Sequence, residues 1–169
     1  FETVPHFILV LAAKEKGYNI VLLRLSLAAY RLRRSIGIDG VYSKMVVATR
    51  GITAGSGFAT SELRLLLCDL MEVRHTKWIL PIVVKLYVDD LTLAASGLAQ
   101  EVIANMIRVT DFVVDWLEQK LLMEVSSSKS KIVAKPSLAM QIVCGVVSGK
   151  VSISTNAKLL GTDSTAGNR

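Results

Sequence analysis

The stretch KLYVDDLTL (85–93) sets two adjacent carboxylates, Asp89 and Asp90, inside an otherwise apolar run. A charged group is costly to bury without a partner, so this pair needs an explanation. Asp is common in turns, and a polar hairpin turn is one reading. The other is a metal-binding tip. Side chains alternate along a strand, so the two acids would face opposite sides unless the chain turns there. Strand-like patterns that end at Tyr87 and resume at Leu91 place both acids at a hairpin tip. Two carboxylates this close repel unless a cation or a positive partner neutralises them. Hard oxygen ligands suit Mg²⁺, which binds through one or two carboxylates together with substrate phosphates. The stretch alone leaves both readings open.

The elements that must position this tip follow from local pattern. ILPIVVKLY (79–87) and LTLAA (91–95) read as strands, with Pro81 early in its strand or at an edge. Upstream, 4–16 reads as a helix stopped by Gly17, and 19–33 as a second helix with Asn19 as its N-cap. Residues 35–40 read as a loop and 42–50 as a strand. A glycine-rich stretch, GITAGSGFATSE, leads into a helix over 61–74 with leucines at 63, 66, 67 and 70. Downstream, 98–121 gives the clearest helix. Val102, Met106, Val109, Val113 and Leu117 form its apolar stripe, and Glu101, Arg108, Asp111, Asp115 and Glu118 its polar face. SSSKS (126–130) reads as a turn, KIVA, MQIVCGVV and KVSIS as three short strands, 158–161 as the start of another, and the chain from Thr162 as a polar, frayed tail. Hairpins joined through helices predict an α+β layer architecture with antiparallel strands and helices packed on one face.

The chain has 169 residues, which predicts one domain with a real core. With 51% hydrophobic residues and a mean hydropathy of +0.47, it is too apolar for a disordered chain. The longest uncharged stretch near the C-terminus, PSLAMQIVCGVVSG, is too short for a membrane span, so no membrane partner is expected. A net charge of +6 and a pI near 9.5, with basic clusters at 31–34, 74–77 and 129–135, favour an anionic partner such as nucleic acid. Cys68 and Cys144 lack ligand spacing and are expected to be reduced core residues of an intracellular protein. The chain opens on Phe1 without a signal-peptide pattern, and the expectation is a segment of a longer protein.

The order of several motifs resembles the reverse transcriptase (RNA-directed DNA polymerase) family, in the form found in non-LTR retroelements. Tyr87-Val88-Asp89-Asp90 is similar to the Tyr-x-Asp-Asp hairpin of the family's palm. FETVPHFILVLAAKEKG is similar to the family's first catalytic motif from its aromatic residue onward, with Phe1 as that aromatic and His6 as the usual His. By this resemblance the first metal-binding Asp would lie five residues before Phe1. RGITAGSGFAT (50–60) resembles the second motif through Arg50, Gly51 and Gly55, but Ala54 stands where Gln is usual, and Ala59 and Thr60 where Ser-Pro is usual. SSSKS is similar to the Asn-x-x-Lys-Thr element through Lys129, and KLLG (158–161) to the primer-grip motif through Leu160 and Gly161.

The resemblance implies a polymerase palm-type antiparallel sheet with partial fingers elements. It implies transfer of a nucleotide from a dNTP to a primer 3′-OH, with two Mg²⁺ ions, an RNA template and a DNA primer. Asp89 and Asp90 would hold metal, with Asp89 the more firmly tied to it, and Lys129 would lie near the triphosphate. Phe1, Arg50, Gly51, Gly55 and Tyr87 would line the nucleotide and template pocket, and Leu160 and Gly161 would grip the primer. On this alignment the chain carries half of the metal clamp and is expected to be inactive alone, in a nuclear compartment. The rival expectation is a catalytically silent nucleic-acid-binding or structural protein derived from such a palm, which Ala54 favours.

Overall fold

A computed structural model describes residues 2–53, 55–77, 82–87, 90–159 and 162–165, of which 74–77, 157–159 and 162–165 are described by backbone alone. The chain forms two compact units, one of Phe1–Cys68 with Leu121–Met123, the other of Asp69–Lys120 with Glu124–Arg169.

The first unit opens with helix α1 (His6–Glu15), whose buried residues His6, Leu9 and Ala13 recur along one face. Helix α2 (Ile20–Tyr30) starts as expected at Asn19, whose Oδ1 accepts from the backbone N–H groups of Val21 (3.0 Å) and Leu22 (3.2 Å). That satisfies two of the donors left orphaned at a helix start. Leu23, Ser26, Leu27 and Tyr30 form its buried face, and the helix stops at Tyr30, short of the expected 33. Helix α3 (Ala59–Lys77) contributes Ala59, Leu63, Leu66 and Leu67 to the buried set.

Between α2 and α3 the structure corrects two expectations. Residues 35–40 are not a plain loop, because β1 (Gly37–Ile38) pairs antiparallel with β2 (Val41–Tyr42). Asp39 (φ 50°) and Gly40 (φ 81°) both lie in the left-handed region, which suits a two-residue turn between twisted strands. Nor is 42–50 one strand. Beyond Tyr42 the pairing continues only as isolated bridges, Arg34 with Val46 and Pro5 with Arg50.

In the second unit β3 (Val83–Tyr87) pairs antiparallel with β4 (Asp90–Ala94), as the pattern predicts. Pro81 lies outside the described residues. Helix α4 (Ala99–Asp115) buries Val109 and Val113 of its stripe and passes into a π-helical turn, Trp116–Lys120. There the Lys120 ammonium stands 3.7 Å from the Trp116 ring centroid, a cation–π contact. After β5 (Lys131–Ile132) the expected strand MQIVCGVV is instead helix α5 (Pro136–Gly145). Periodicity cannot separate the two for a short apolar run. Here Pro136 presets the first helical turn, and Ala139, Ile142 and Val146 then share one face. That face packs with Ile132 and with Ile103, Met106 and Ile107 of α4. Gly145 permits the approach, since a side chain there would overlap Ile107. The Asp111 carboxylate accepts from the N–H groups of Val147 (3.1 Å) and Ser148 (3.0 Å) and so ties the end of α5 to α4.

The strand β6 (Ser152–Ile153) pairs with β5 in parallel, against the expectation of antiparallel pairing throughout. The strand β7 (Asn156–Leu159) pairs with β8 (Thr162–Thr165), so the residues expected to fray form a hairpin. The described strands thus make four two-stranded sheets within an α+β fold. Neither cysteine is a core residue: Cys68 is partly exposed and Cys144 exposed. No described helix is long and apolar enough to cross a membrane.

Candidate functional site

The β3–β4 hairpin carries the acid pair. Val84 and Leu86 turn toward the interior while Val83, Lys85 and Tyr87 are exposed, the two-residue alternation of a half-buried strand. Tyr87 and Asp90 are the last described pair of the ladder. Partners directly across an antiparallel ladder share a face, so the phenol and the Asp90 carboxylate both stand on the exposed side, as do Lys85 and Thr92. Asp89 lies outside the described residues. No three His, Cys, Asp or Glu side chains gather among the described residues. One exposed carboxylate at a hairpin end is compatible with Mg²⁺, which takes one or two carboxylates and fills its other positions with water and phosphate oxygens.

The first unit joins two segments that stand 45 residues apart in sequence. The Gly51 N–H donates to Val4 O (2.8 Å), and the His6 N–H to Thr49 O (3.3 Å). His6, only 1% exposed, donates from Nε2 to Gly51 O (2.8 Å), and its Nδ1 accepts from Arg31 Nε (3.3 Å). Both contacts fit the tautomer protonated at Nε2. His6 thus anchors the start of the glycine loop. Gly51 is needed there, because its φ of +94° is left-handed and an added Cβ would lie 3.1 Å from Glu2 O. Gly55 is also left-handed, with open space around it.

The far side of the loop is held by a buried polar cluster that the sequence reading missed. Glu62 of α3 is wholly buried, and the Tyr30 hydroxyl donates to its Oε2 at 2.7 Å. Ser56 Oγ lies 3.1 Å from the same hydroxyl and accepts from the Phe58 N–H. Glu62 Oε1 has no hydrogen-bond partner in the structure. Burial pushes the Tyr30 phenol up from its ordinary value; the Ser56 contact partly opposes this, and the Glu62 hydrogen bond and charge add to it. Burial, then the Glu62 charge, also raises Tyr18. The available signal was Glu62 falling on the same helical face as Leu63, Leu66 and Leu70, an acid among core positions.

Lys129 is exposed in the turn 126–130, where Ser126 O accepts from the N–H groups of Lys129 (3.2 Å) and Ser130 (3.0 Å) and from Ser130 Oγ (2.9 Å). Among the described residues no hydrogen bond or ion pair joins Lys129 to Asp90. Arg50, Gly51 and Gly55 belong to the first unit, and Tyr87, Asp90 and Lys129 to the second. Phe1, Ala54, Leu160 and Gly161 lie outside the described residues.

Charge divides unevenly between the units. The first holds nine Lys and Arg against four Asp and Glu, and the second eleven against ten, so almost all of the +6 excess resides in the first. Both described ion pairs, Lys120–Asp69 (3.7 Å) and Lys150–Glu118 (2.9 Å), are in the second unit. The chain matches no protein-family model, no curated protein and no solved structure.

Proposed function

We propose that this chain is the palm-region part of an RNA-directed DNA polymerase of the non-LTR retroelement type. The observation that carries the reading is the β3–β4 hairpin, which ends on Tyr87 paired with Asp90, both exposed, with Asp89 between them in sequence. Two further features support it. The segments similar to the family's first and second motifs hydrogen-bond to each other at 4–6 and 49–51. A long amphipathic helix, α4, separates the hairpin from the Lys129 turn.

In this reading Asp89 and Asp90 hold Mg²⁺ at the hairpin tip, and the bound ions would activate the primer 3′-OH and stabilise the leaving oxygen. Tyr87, exposed, stands across the ladder from Asp90. Lys129 offers a cation for the departing pyrophosphate. RNA template, DNA primer and dNTP are the partners.

Mn²⁺ serves as a paramagnetic probe. Titrated with a dNTP, it should broaden NMR resonances of β3 and β4 first, and Asp90→Asn should weaken the effect at least tenfold. Broadening elsewhere, or none at millimolar metal, would sink the reading. The second reading, a silent nucleic-acid-binding protein, is favoured by Ala54 at the Gln position. It requires oligonucleotide binding with no Mn²⁺ broadening of β3 and β4, with or without a dNTP.

A further inference from the structure

The arm between α2 and the glycine loop, residues 31–50, is the most exposed apolar and basic surface described. Ile38, Val41 and Tyr42 of its hairpin are 68%, 74% and 73% exposed. Arg31, Arg33, Arg34, Lys44 and Arg50 flank them, with Asp39 at the turn as the only acid of the segment. Among the described residues none of these five cations is paired with a carboxylate. Arg31 donates to His6 Nδ1 and Arg34 to Tyr30 O and Thr53 Oγ1, all neutral acceptors.

One exposed side chain on this arm lies close against the backbone of its strand partner. Gly37 is the ladder partner of Tyr42, and a Cβ on it would lie 2.7 Å from Tyr42 Cε1 and 3.0 Å from Cδ1. The ring therefore lies across the bare glycine backbone, with one face covered and the rest open to solvent. Lys44, two residues beyond Tyr42, is exposed as well. An open aromatic ring near unpaired cations is what a stacked base and its phosphates require.

We propose that the 31–50 arm binds single-stranded nucleic acid, with Tyr42 as a stacking platform and Arg33 and Lys44 as phosphate contacts. This deepens the polymerase reading and rests on it, since it names where an unpaired strand is held. An anionic membrane fits less well, because the Asp39 carboxylate occupies the tip that would enter the headgroups.

The test is fluorescence anisotropy of labelled 12-nucleotide RNA and DNA strands in EDTA at two salt concentrations. Two phosphate contacts predict binding about sevenfold weaker at 200 mM than at 50 mM salt, with a log–log slope of about −1.4. Tyr42→Ala should weaken binding about five- to 150-fold, the range of one lost base stack, while Tyr42→Phe should retain it. Gly37→Ala, which keeps the tyrosine but displaces its ring, should weaken binding too, and Lys44→Gln should lower the slope by about 0.7. Circular dichroism identifies variants that fail to fold, and for these the decision passes to Tyr42→Phe and Lys44→Gln. Wild-type binding that Tyr42→Ala leaves unchanged overturns the proposal, as does binding to anionic vesicles but not to oligonucleotides, or loss of exposure at Tyr42 through self-association. EDTA removes metal from this assay, so the Mn²⁺ titration judges the polymerase reading separately.

Discussion

Replacing Tyr30 with Phe removes one oxygen atom and tests whether a buried carboxylate organises the first unit. The Tyr30 hydroxyl donates at 2.7 Å to Glu62 Oε2, and Oε1 has no partner. Tyr30→Phe would leave both oxygens of a fully buried carboxylate unpartnered. A hydrogen bond to a charged group contributes roughly 1.5–3 kcal/mol, and stranding the charge adds to that. The expected cost is about 2–4 kcal/mol. Glu62→Leu acts differently, because it removes the carboxylate whose burial is costly and substitutes an apolar side chain of similar size; a change within about 1 kcal/mol is expected. In the Glu62→Leu background, Tyr30→Phe should cost no more than about 1 kcal/mol, so the cycle should show a coupling of at least about 1 kcal/mol. Urea unfolding followed by circular dichroism measures these differences, and hydrogen exchange of α2 and α3 peptides localises them to the first unit. Because Ser56 Oγ sits 3.1 Å from the same hydroxyl, exchange in the glycine loop should accelerate as well. A Tyr30→Phe cost below about 0.5 kcal/mol, or one equally large without Glu62, would refute the reasoning. The raised phenol also sets a pH dependence. Its stabilisation is present below the unfolded value of 10.0 and is lost as pH rises through the folded one, so Tyr30→Phe should weaken less than wild type in this alkaline range, the remaining loss coming from the raised Tyr18 phenol.

Gly51→Ala should destabilise the first unit by about 1–3 kcal/mol, from left-handed strain and contact with Glu2 O, whereas Gly55→Ala should cost only the strain, about 1 kcal/mol. Equal shifts in the urea midpoint would show that the approach to Glu2 does not matter. Glu118 is held below its ordinary value of 4.5, first by its hydrogen bond to Lys150, then by the Val125 N–H, then by the Lys150 charge. Its stabilisation is present above the unfolded value and lost as pH falls through the folded one. Lys150→Met should therefore flatten the acid limb of the second unit's melting temperature below about pH 4.5.

Where local chemistry was sufficient, the sequence alone determined the element. Asn19 capped α2 because its side chain reaches N–H groups two and three residues on, and the α4 stripe buried Val109 and Val113 because their spacing is helical. The β3–β4 hairpin followed from alternation and the break in apolar pattern at the acids. The Asp39-Gly40 turn was also legible, since two residues suited to left-handed backbone stood together, but the glycines were read as loop. Other features needed the tertiary structure. MQIVCGVV is compatible with strand or helix until Ile107 packs against the bare Gly145 and α4 receives the Ala139–Ile142 face. The burial of Glu62 depends on a hydroxyl supplied 32 residues earlier. The anchoring of Gly51 depends on an imidazole 45 residues earlier. Helix caps, turns and periodicity act over a few residues and are written locally. A buried polar partner or a close backbone approach is settled only when distant segments meet.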